Sequence, residues 1–378
     1  MKLSCTRENL HQGLSITSHV MTKNVHLPIL QNVLMKAEGG SIRFTTTNLE
    51  IAVNCTVRGK VDEPGEHTIP SKLFYDYVSL LPNETIHIGV DQENIRVECG
   101  NYKTKINGLS ASEFPLVPRV EGQKIFQIPV DEFKRSLGQV VFSVASNESR
   151  PELTGVCLKF YPSQGEGRLR LVSTDSYRLS EVTMPIVELI DQEYQVVIPV
   201  KTLAEVSRIL SVFKDEVELP SAITLHISQN QAVFVYGPVE LISRVIDEHY
   251  PDYEQIIPKE FVTTSIVDRD DFMKAVKAAS LFSKTGLFDI TLQFSPEAGE
   301  LHVQSTDATR GQNTSSCKIE AQGKENTVSV NYRYLLDGLQ AISSERIRFE
   351  MIDAANPCLM TPEGSREAYR YVLMPIRQ

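Results

Sequence analysis

Apolar and polar residues alternate along most of this chain, and helical stripes interrupt the alternation six times. Ile42-Arg43-Phe44-Thr45-Thr46-Thr47-Asn48 is apolar on alternate residues, as a half-buried strand is, and runs into a Thr-Asx turn. The pattern returns as Leu169-Arg170-Leu171-Val172-Ser173-Thr174-Asp175 and as Leu301-His302-Val303-Gln304-Ser305-Thr306-Asp307. Asn48, Asp175 and Asp307 are 127 and 132 residues apart. A second landmark keeps the same spacing. Thr68-Ile69-Pro70, Val197-Ile198-Pro199 and Ser329-Val330-Asn331 each end a strand and open an amphipathic helix, 129 and 132 residues apart. Units this long exceed the roughly 20–50 residues of solenoid repeats and are whole domains.

Each third reads as strand, helix, two or three strands, helix, then strands. The first helices are predicted over Arg7–Met21, Val130–Val144 and Asp268–Ser283, and the second over Ser71–Leu81, Lys201–Lys214 and Asn331–Ser343. Phe133, Leu137, Val140, Val141 and Val144 form one helical stripe; Leu203, Val206, Leu210 and Phe213 form another. Alternating strands are predicted at Glu84–Val90, Ala222–His226 and Glu345–Met351. Short turns such as Gly165-Glu166-Gly167 imply antiparallel hairpins. The class is therefore α+β, with two helices on antiparallel sheets in each of three repeated domains. Proline-bearing extended segments near Phe114–Pro118 and Tyr250–Tyr253 suit linkers, giving domains of residues 1–121, 122–253 and 254–378.

Composition fits this picture. A length of 378 residues calls for about three cores at about 100–150 residues each, and 41% apolar with 23% charged is globular. Neither a signal-like apolar core at Met1–Glu8 nor a membrane-length apolar run is present, so a cytoplasmic protein is expected. The six cysteines (5, 55, 99, 157, 317 and 358) lack metal-ligand spacing and read as reduced core thiols. The Asn-x-Ser/Thr matches at Asn54, Asn83, Asn147 and Asn313 carry no weight without a secretory route.

A net charge of −10 argues against nucleic acid unless the charge is segregated. It is, modestly. The six helical segments carry 12 basic and 9 acidic residues, against 26 and 39 in the remainder. A weakly basic helical surface suits loose phosphate contact that permits sliding better than tight sequence readout.

Four strings in order on this repeat carry a family likeness: Leu27-Pro28-Ile29-Leu30, Thr174-Asp175-Ser176-Tyr177-Arg178-Leu179, Tyr250-Pro251-Asp252-Tyr253 and Tyr371-Val372-Leu373-Met374-Pro375-Ile376-Arg377. Along its whole length the chain resembles the bacterial β sliding clamp, the processivity subunit of DNA polymerase III. The resemblance implies a head-to-tail homodimer, a ring of six similar domains whose twelve helices surround duplex DNA held without sequence preference, with continuous outer sheets. It implies no catalysis and no cofactor. The implied partners are the α subunit of DNA polymerase III, clamp-loader subunits and other proteins with a clamp-binding motif.

By the same resemblance a partner groove is lined by Leu153, Thr174, Ser176, Tyr177, Arg178, Leu179, Pro251, Ile256, Asn331, Tyr334, Pro357, Met360, Val372, Met374, Pro375, Ile376 and Arg377. Methionine adapts to varied ligands, and Arg178 and Arg377 would offer donors at the rim. The bland alternative makes Val372 and Met374 core positions of a closing strand. Gln255 and Gln378 stand where relatives often carry Arg and an apolar terminus. DNA-facing candidates are Lys23, Lys72, Asn147, Arg150, Lys201, Arg208, Lys274 and Lys277, each equally readable as a solvated side chain. The subunit seam is expected to set Lys103–Asn107, with Thr104 and Ile106, against Leu281 and Phe282 of a second molecule; the last two can also be read as internal core.

Two other classes compete. An enzyme is disfavoured because the eight histidines show no ligand spacing and no Ser/His/Asp grouping or phosphate loop is legible. A clamp-like paralogue that binds only proteins is opposed by the basic residues on the helices.

Overall fold

A computed structural model describes residues 1–20, 27–91, 94–115, 117, 124–147, 149–213, 219–364 and 368–376. Lys23, Arg377 and Gln378 lie outside the described residues, as do the predicted helix ends Met21 and Lys214.

The first repeat runs β1 (Lys2–Thr6), α1 (Arg7–Thr17), β2 (Asn32–Glu38), β3 (Ser41–Thr47), β4 (Ile51–Arg58), β5 (Lys60–Glu63), β6 (Gly65–Pro70), α2 (Ser71–Leu80), β7 (Thr85–Asp91), β8 (Asn94–Cys99) and β9 (Tyr102–Asn107). The second runs β10 (Lys124–Pro129), α3 (Val130–Val140), β11 (Gly155–Ser163), β12 (Glu166–Thr174), β13 (Arg178–Ile186), β14 (Tyr194–Pro199), α4 (Val200–Val212), β15 (Ala222–Ile227), β16 (Gln231–Tyr236) and β17 (Val239–Arg244). The third runs β18 (Thr263–Asp268), α5 (Arg269–Ser280), β19 (Asp289–Ser295), β20 (Glu300–Asp307), β21 (Gly311–Gly323), β22 (Asn326–Asn331), α6 (Tyr332–Ala341), β23 (Arg346–Met351), β24 (Cys358–Pro362) and β25 (Tyr369–Leu373).

The helices start within a residue of where the pattern predicts, and in α1, α5 and α6 a side chain meets a free first-turn amide. Thr6, Asp268 and Asn331 cap α1, α5 and α6 by accepting from the amides of Asn9, Asp271 and Arg333. They end earlier than predicted. The hydroxyls of Thr46, Ser173 and Ser305 donate to the carbonyls of Thr17, Val140 and Ala279 at the ends of α1, α3 and α5. A side chain thus occupies carbonyls that another helical turn would have used. After α3 the chain tightens into a 3-10 turn at Val141–Ser143.

Two compact units emerge. The first comprises Met1–Val130 with Lys201–Val245, and the second Asp131–Val200 with Ile246–Gln378. In the first, an eight-stranded sheet runs β10-β15-β16-β17-β4-β3-β2-β6 and a five-stranded one runs β5-β1-β7-β8-β9. In the second, one twelve-stranded sheet runs β14-β11-β12-β13-β25-β24-β23-β18-β21-β20-β19-β22. All ladders among the described residues are antiparallel. The repeats therefore share sheets: β4 of the first repeat pairs with β17 of the second, and β13 of the second with β25 of the third. All six cysteines are buried and unbridged.

Within the second unit the helical face of the sheet packs on α3 and α6. Ser173 and Tyr369 bond the Val140 and Gln139 carbonyls, and Tyr371 bonds the Tyr334 carbonyl. Gly338 of α6 is a place of close approach, where a Cβ would stand 2.5 Å from the Tyr371 ring and 2.8 Å from Met360 Cε.

Candidate functional site

The Thr-Asx motif builds the same turn in each repeat. Asn48 Oδ1 accepts from the amides of Glu50 and Ile51, Asp175 Oδ1 from Tyr177 and Arg178, and Asp307 Oδ1 from Thr309 and Arg310. In the second repeat Thr174 Oγ1 also accepts the Ser176 amide and donates to the Arg178 carbonyl. These bonds hold Ser176 at φ +76°, a left-handed conformation that few non-glycine residues adopt. The turn thereby pushes Tyr177 into solvent, 63% exposed.

Arg178 sits at the centre of this corner. Its Nε meets Asp175 at 3.0 Å, Nη2 donates to the Phe142 carbonyl at 2.7 Å, and Nη1 pairs with Asp337 of α6. The guanidinium also lies 4.4 Å from the Tyr334 ring centroid and 5.4 Å from that of Phe142. Burial opposes its charge, but Tyr371, Asp337 and Asp175 more than compensate, holding its pKa above the ordinary arginine value. The expectation of a rim donor is corrected here: Arg178 is an internal bracket tying the turn to α6.

On the sheet face away from the helices, cross-strand register aligns Thr174, Leu179, Val372 and Leu359 in one row. Leu153, Val172, Tyr250, Tyr253 and Ile257 join this row in one apolar cluster. Leu153, Leu179 and Val372 are 2% exposed or less, so they form a floor. The rim is open. Ser176, Tyr177 and Ile256 are exposed, and Pro251, Asn331, Tyr334, Pro357, Met374, Pro375 and Ile376 are half-buried. The last strand is pinned beyond its end, the Met374 amide donating to the Tyr177 carbonyl at 2.9 Å and the Ile376 amide to Ser329 at 2.8 Å. Two groove candidates have other surroundings. Met360 is fully buried, paired with Tyr371 and packed toward Gly338 on the helical face. Asn331 spends its side-chain oxygen capping α6.

The basic candidates divide similarly. Lys72, Lys201 and Lys277 are exposed; Lys274 is exposed and meets Asp271 at 3.2 Å. Exposed Asn147 accepts the Ser149 amide. Arg150 is half-exposed, holding Glu152 at 2.9 Å and donating to Ser176 Oγ at 3.2 Å, which puts it beside the groove's turn. Arg208 is different. Its guanidinium chelates Glu205 and donates to the carbonyls of Ser15 and Ile16 of α1, so most of its donors serve the fold of the first unit. Arg208 is better read as a brace than as a phosphate contact.

At the expected seam, Leu281 is 67% exposed and Phe282 half-buried. Thr104 and Ile106 lie on β9, the edge of the five-stranded sheet; Ile106 itself is buried against that sheet. Arg310 holds the Leu281 segment by donating to the Leu281 carbonyl and to Thr285 Oγ1. Sequence reading missed Arg310 and also missed the hydroxyls that end the helices, although the Ser/Thr before each Thr-Asx pair was a visible signal.

Family models of the DNA polymerase III beta subunit match residues 1–118 (N-terminal domain), 127–252 (central domain) and 254–377 (C-terminal domain). The chain belongs to the DNA polymerase III beta subunit family. It is 29% identical to the beta sliding clamp of Synechocystis over 100% of this chain and 99% of that one. The fold matches the DNA polymerase sliding clamp of Bacillus subtilis with a TM-score of 0.93 at 28% identity, covering 100% and 99%. It also matches a sliding clamp of Pseudomonas aeruginosa bound to griselimycin, with a TM-score of 0.92 at 28% identity and 100% of both chains covered. As a member of this family the chain is a sliding clamp, a processivity subunit without catalysis of its own. Among the described residues no helix is long and apolar enough to cross a membrane.

Proposed function

We propose that two copies of this chain close head to tail around duplex DNA and tether a polymerase and other motif-bearing partners through the groove floored by Leu179 and Val372. The observation that carries the ring is an unfinished series of strand junctions. Within the chain, β4 pairs with β17 and β13 with β25. The third member of each set is left over: β21 along Gly311–Cys317 and β9 each have an unpaired edge among the described residues. Bare edges recruit strands. The repeat even supplies a register. Ile51 faces Ser243 and Val53 faces Leu241 in the first junction, which transfers to Arg310 facing Ile106 and Gln312 facing Thr104 of a second copy. A heterologous contact that closes on itself gives a ring. It also brings Ile106 beside the segment carrying Leu281 and Phe282.

A ring retains DNA by enclosure, so modest charge suffices, and exposed Lys72, Lys201, Lys274 and Lys277 need supply only sliding contacts. A docked peptide then raises a partner's effective concentration at the primer end, which is how a protein without chemistry speeds synthesis. The test is to load the protein on circular DNA and then linearise the circle. Release on linearisation at moderate salt is expected; equal retention on both forms overturns enclosure.

A further inference from the structure

Beside the apolar floor, the second unit holds a cavity of about 690 Å³ whose lining includes Arg170, Glu254, Gln255, Lys259, Leu359 and Arg370. It adjoins the groove's apolar floor. Leu359 belongs to both, and Arg370 precedes Val372 by two residues on the same face of β25. Cross-strand register sets Val172, Glu181 and Arg370 in a row next to the one formed by Thr174, Leu179 and Val372. Neighbouring rows on one face are separated by two residues of strand rise, roughly 7 Å.

The charges in this second row are unevenly matched. Glu181 is 2% exposed and lies between Arg170 Nε at 3.8 Å and Arg370 Nε at 3.5 Å. Among the described residues, buried Arg170 Nε and Glu181 Oε2 find no hydrogen-bond partner. The other anions are committed. Glu254 takes Arg170 at 3.0 Å and Lys159 at 3.9 Å, and Asp252 accepts from the Gln255 side-chain Nε2 at 2.7 Å. The cations are less so: among the described residues Lys259 forms no ion pair, and Arg370 pairs with Glu181 alone, at 3.5 Å.

We propose that this cavity takes an acidic side chain of the docked peptide, two residues from an apolar anchor, with Arg370 and Lys259 as its specificity-determining partners. The spacing follows from strand geometry, because an extended peptide repeats its same-face side chains at the distance that separates the two rows. The chemistry follows from the uncommitted donors: a carboxylate meets charge-assisted partners, whereas a basic side chain meets carboxylates already taken. This inference rests on the groove reading above.

Fluorescence anisotropy tests it with three labelled peptides sharing the same Leu and Phe anchors. One carries Asp two residues before the first anchor, one carries Asp two residues after the last, and one carries Ala at both places. Against the full-length wild type, one Asp peptide should bind roughly threefold to tenfold tighter than the Ala peptide. The advantage should shrink at high salt and vanish in a Lys259→Ala, Arg370→Gln double variant that still binds the Ala peptide normally. Lys259→Glu, a change at an exposed position, should invert the preference even if the double variant folds poorly. Equal affinity for all three peptides in the wild type, or an advantage that survives these substitutions, overturns the pocket. Failure of all three to bind removes the groove itself, and the pocket with it.

Discussion

Arg178 stacks over Tyr334 while its Nη2 holds the carbonyl of Phe142, so one side chain fixes both the exposed Tyr177 turn and α6. The Arg178 side chain is only 10% exposed and Asp175 only 14%, so removing the cation leaves a nearly buried carboxylate and a carbonyl without their donor. Arg178→Ala should cost about 1–3 kcal/mol of stability. Arg178→Lys should recover little, because an ammonium cannot reproduce the forked contacts. Urea denaturation measures this; a loss below a few tenths of a kcal/mol in both variants would show the bracket is idle.

Gly338 offers a sharper packing test. A methyl group there would meet the Tyr371 ring at 2.5 Å, and Tyr371 is anchored through its hydroxyl to the Tyr334 carbonyl. Gly338→Ala should raise helix propensity yet destabilise the second unit by about 1–3 kcal/mol through overpacking. Thermal melting decides the sign; a variant more stable than wild type refutes the constraint.

The seam register can be trapped chemically. Thr104→Cys with Gln312→Cys should oxidise to a covalently closed dimer, because directly opposed strand residues have Cα atoms roughly 4.5–5.5 Å apart. Denaturing gels should then show a species of twice 42.4 kDa or slower. Moving the second cysteine to Thr314 should abolish the product; equal cross-linking at both places would disprove the register. Replacing Leu281 and Phe282 with Ala should weaken the dimer by several kcal/mol, given about 1.5–3 kcal/mol per large buried side chain, as sedimentation would reveal.

Alkaline pH probes the core thiols. Burial pushes Cys157 and Cys358 up to about 12 from an ordinary 9.0. The native state therefore keeps protons that the unfolded chain releases. Their contribution is intact below pH 9 and is lost as pH rises toward 12. Urea midpoints should fall between pH 9 and 11, and less steeply in Cys157→Ala. A flat midpoint across that range would contradict the assignment.

Much of the fold was legible in the sequence because it is local. Alternation at Ile42–Thr47 and stripes such as Leu203, Val206 and Leu210 arise from backbone periodicity, and the Asx turns close within four residues. The threefold repeat of Asn48, Asp175 and Asp307 needed only spacing. The groove was legible only through the family strings at Leu179 and Met374. What tertiary structure decided is where side-chain donors and buried faces go. Arg178, Arg208 and Lys274 are all cations near an acidic residue three positions away, yet only Lys274 stays in solvent. Partners 159 and 192 residues distant, Asp337 and Ile16, claim the other two. Val372 and Met374 share a strand face by alternation, but Val372 packs in one cluster with Tyr250 and Tyr253 while Met374 stays half open. Local periodicity assigns a face; only packing from distant parts of the chain determines whether that face is core, brace or binding surface.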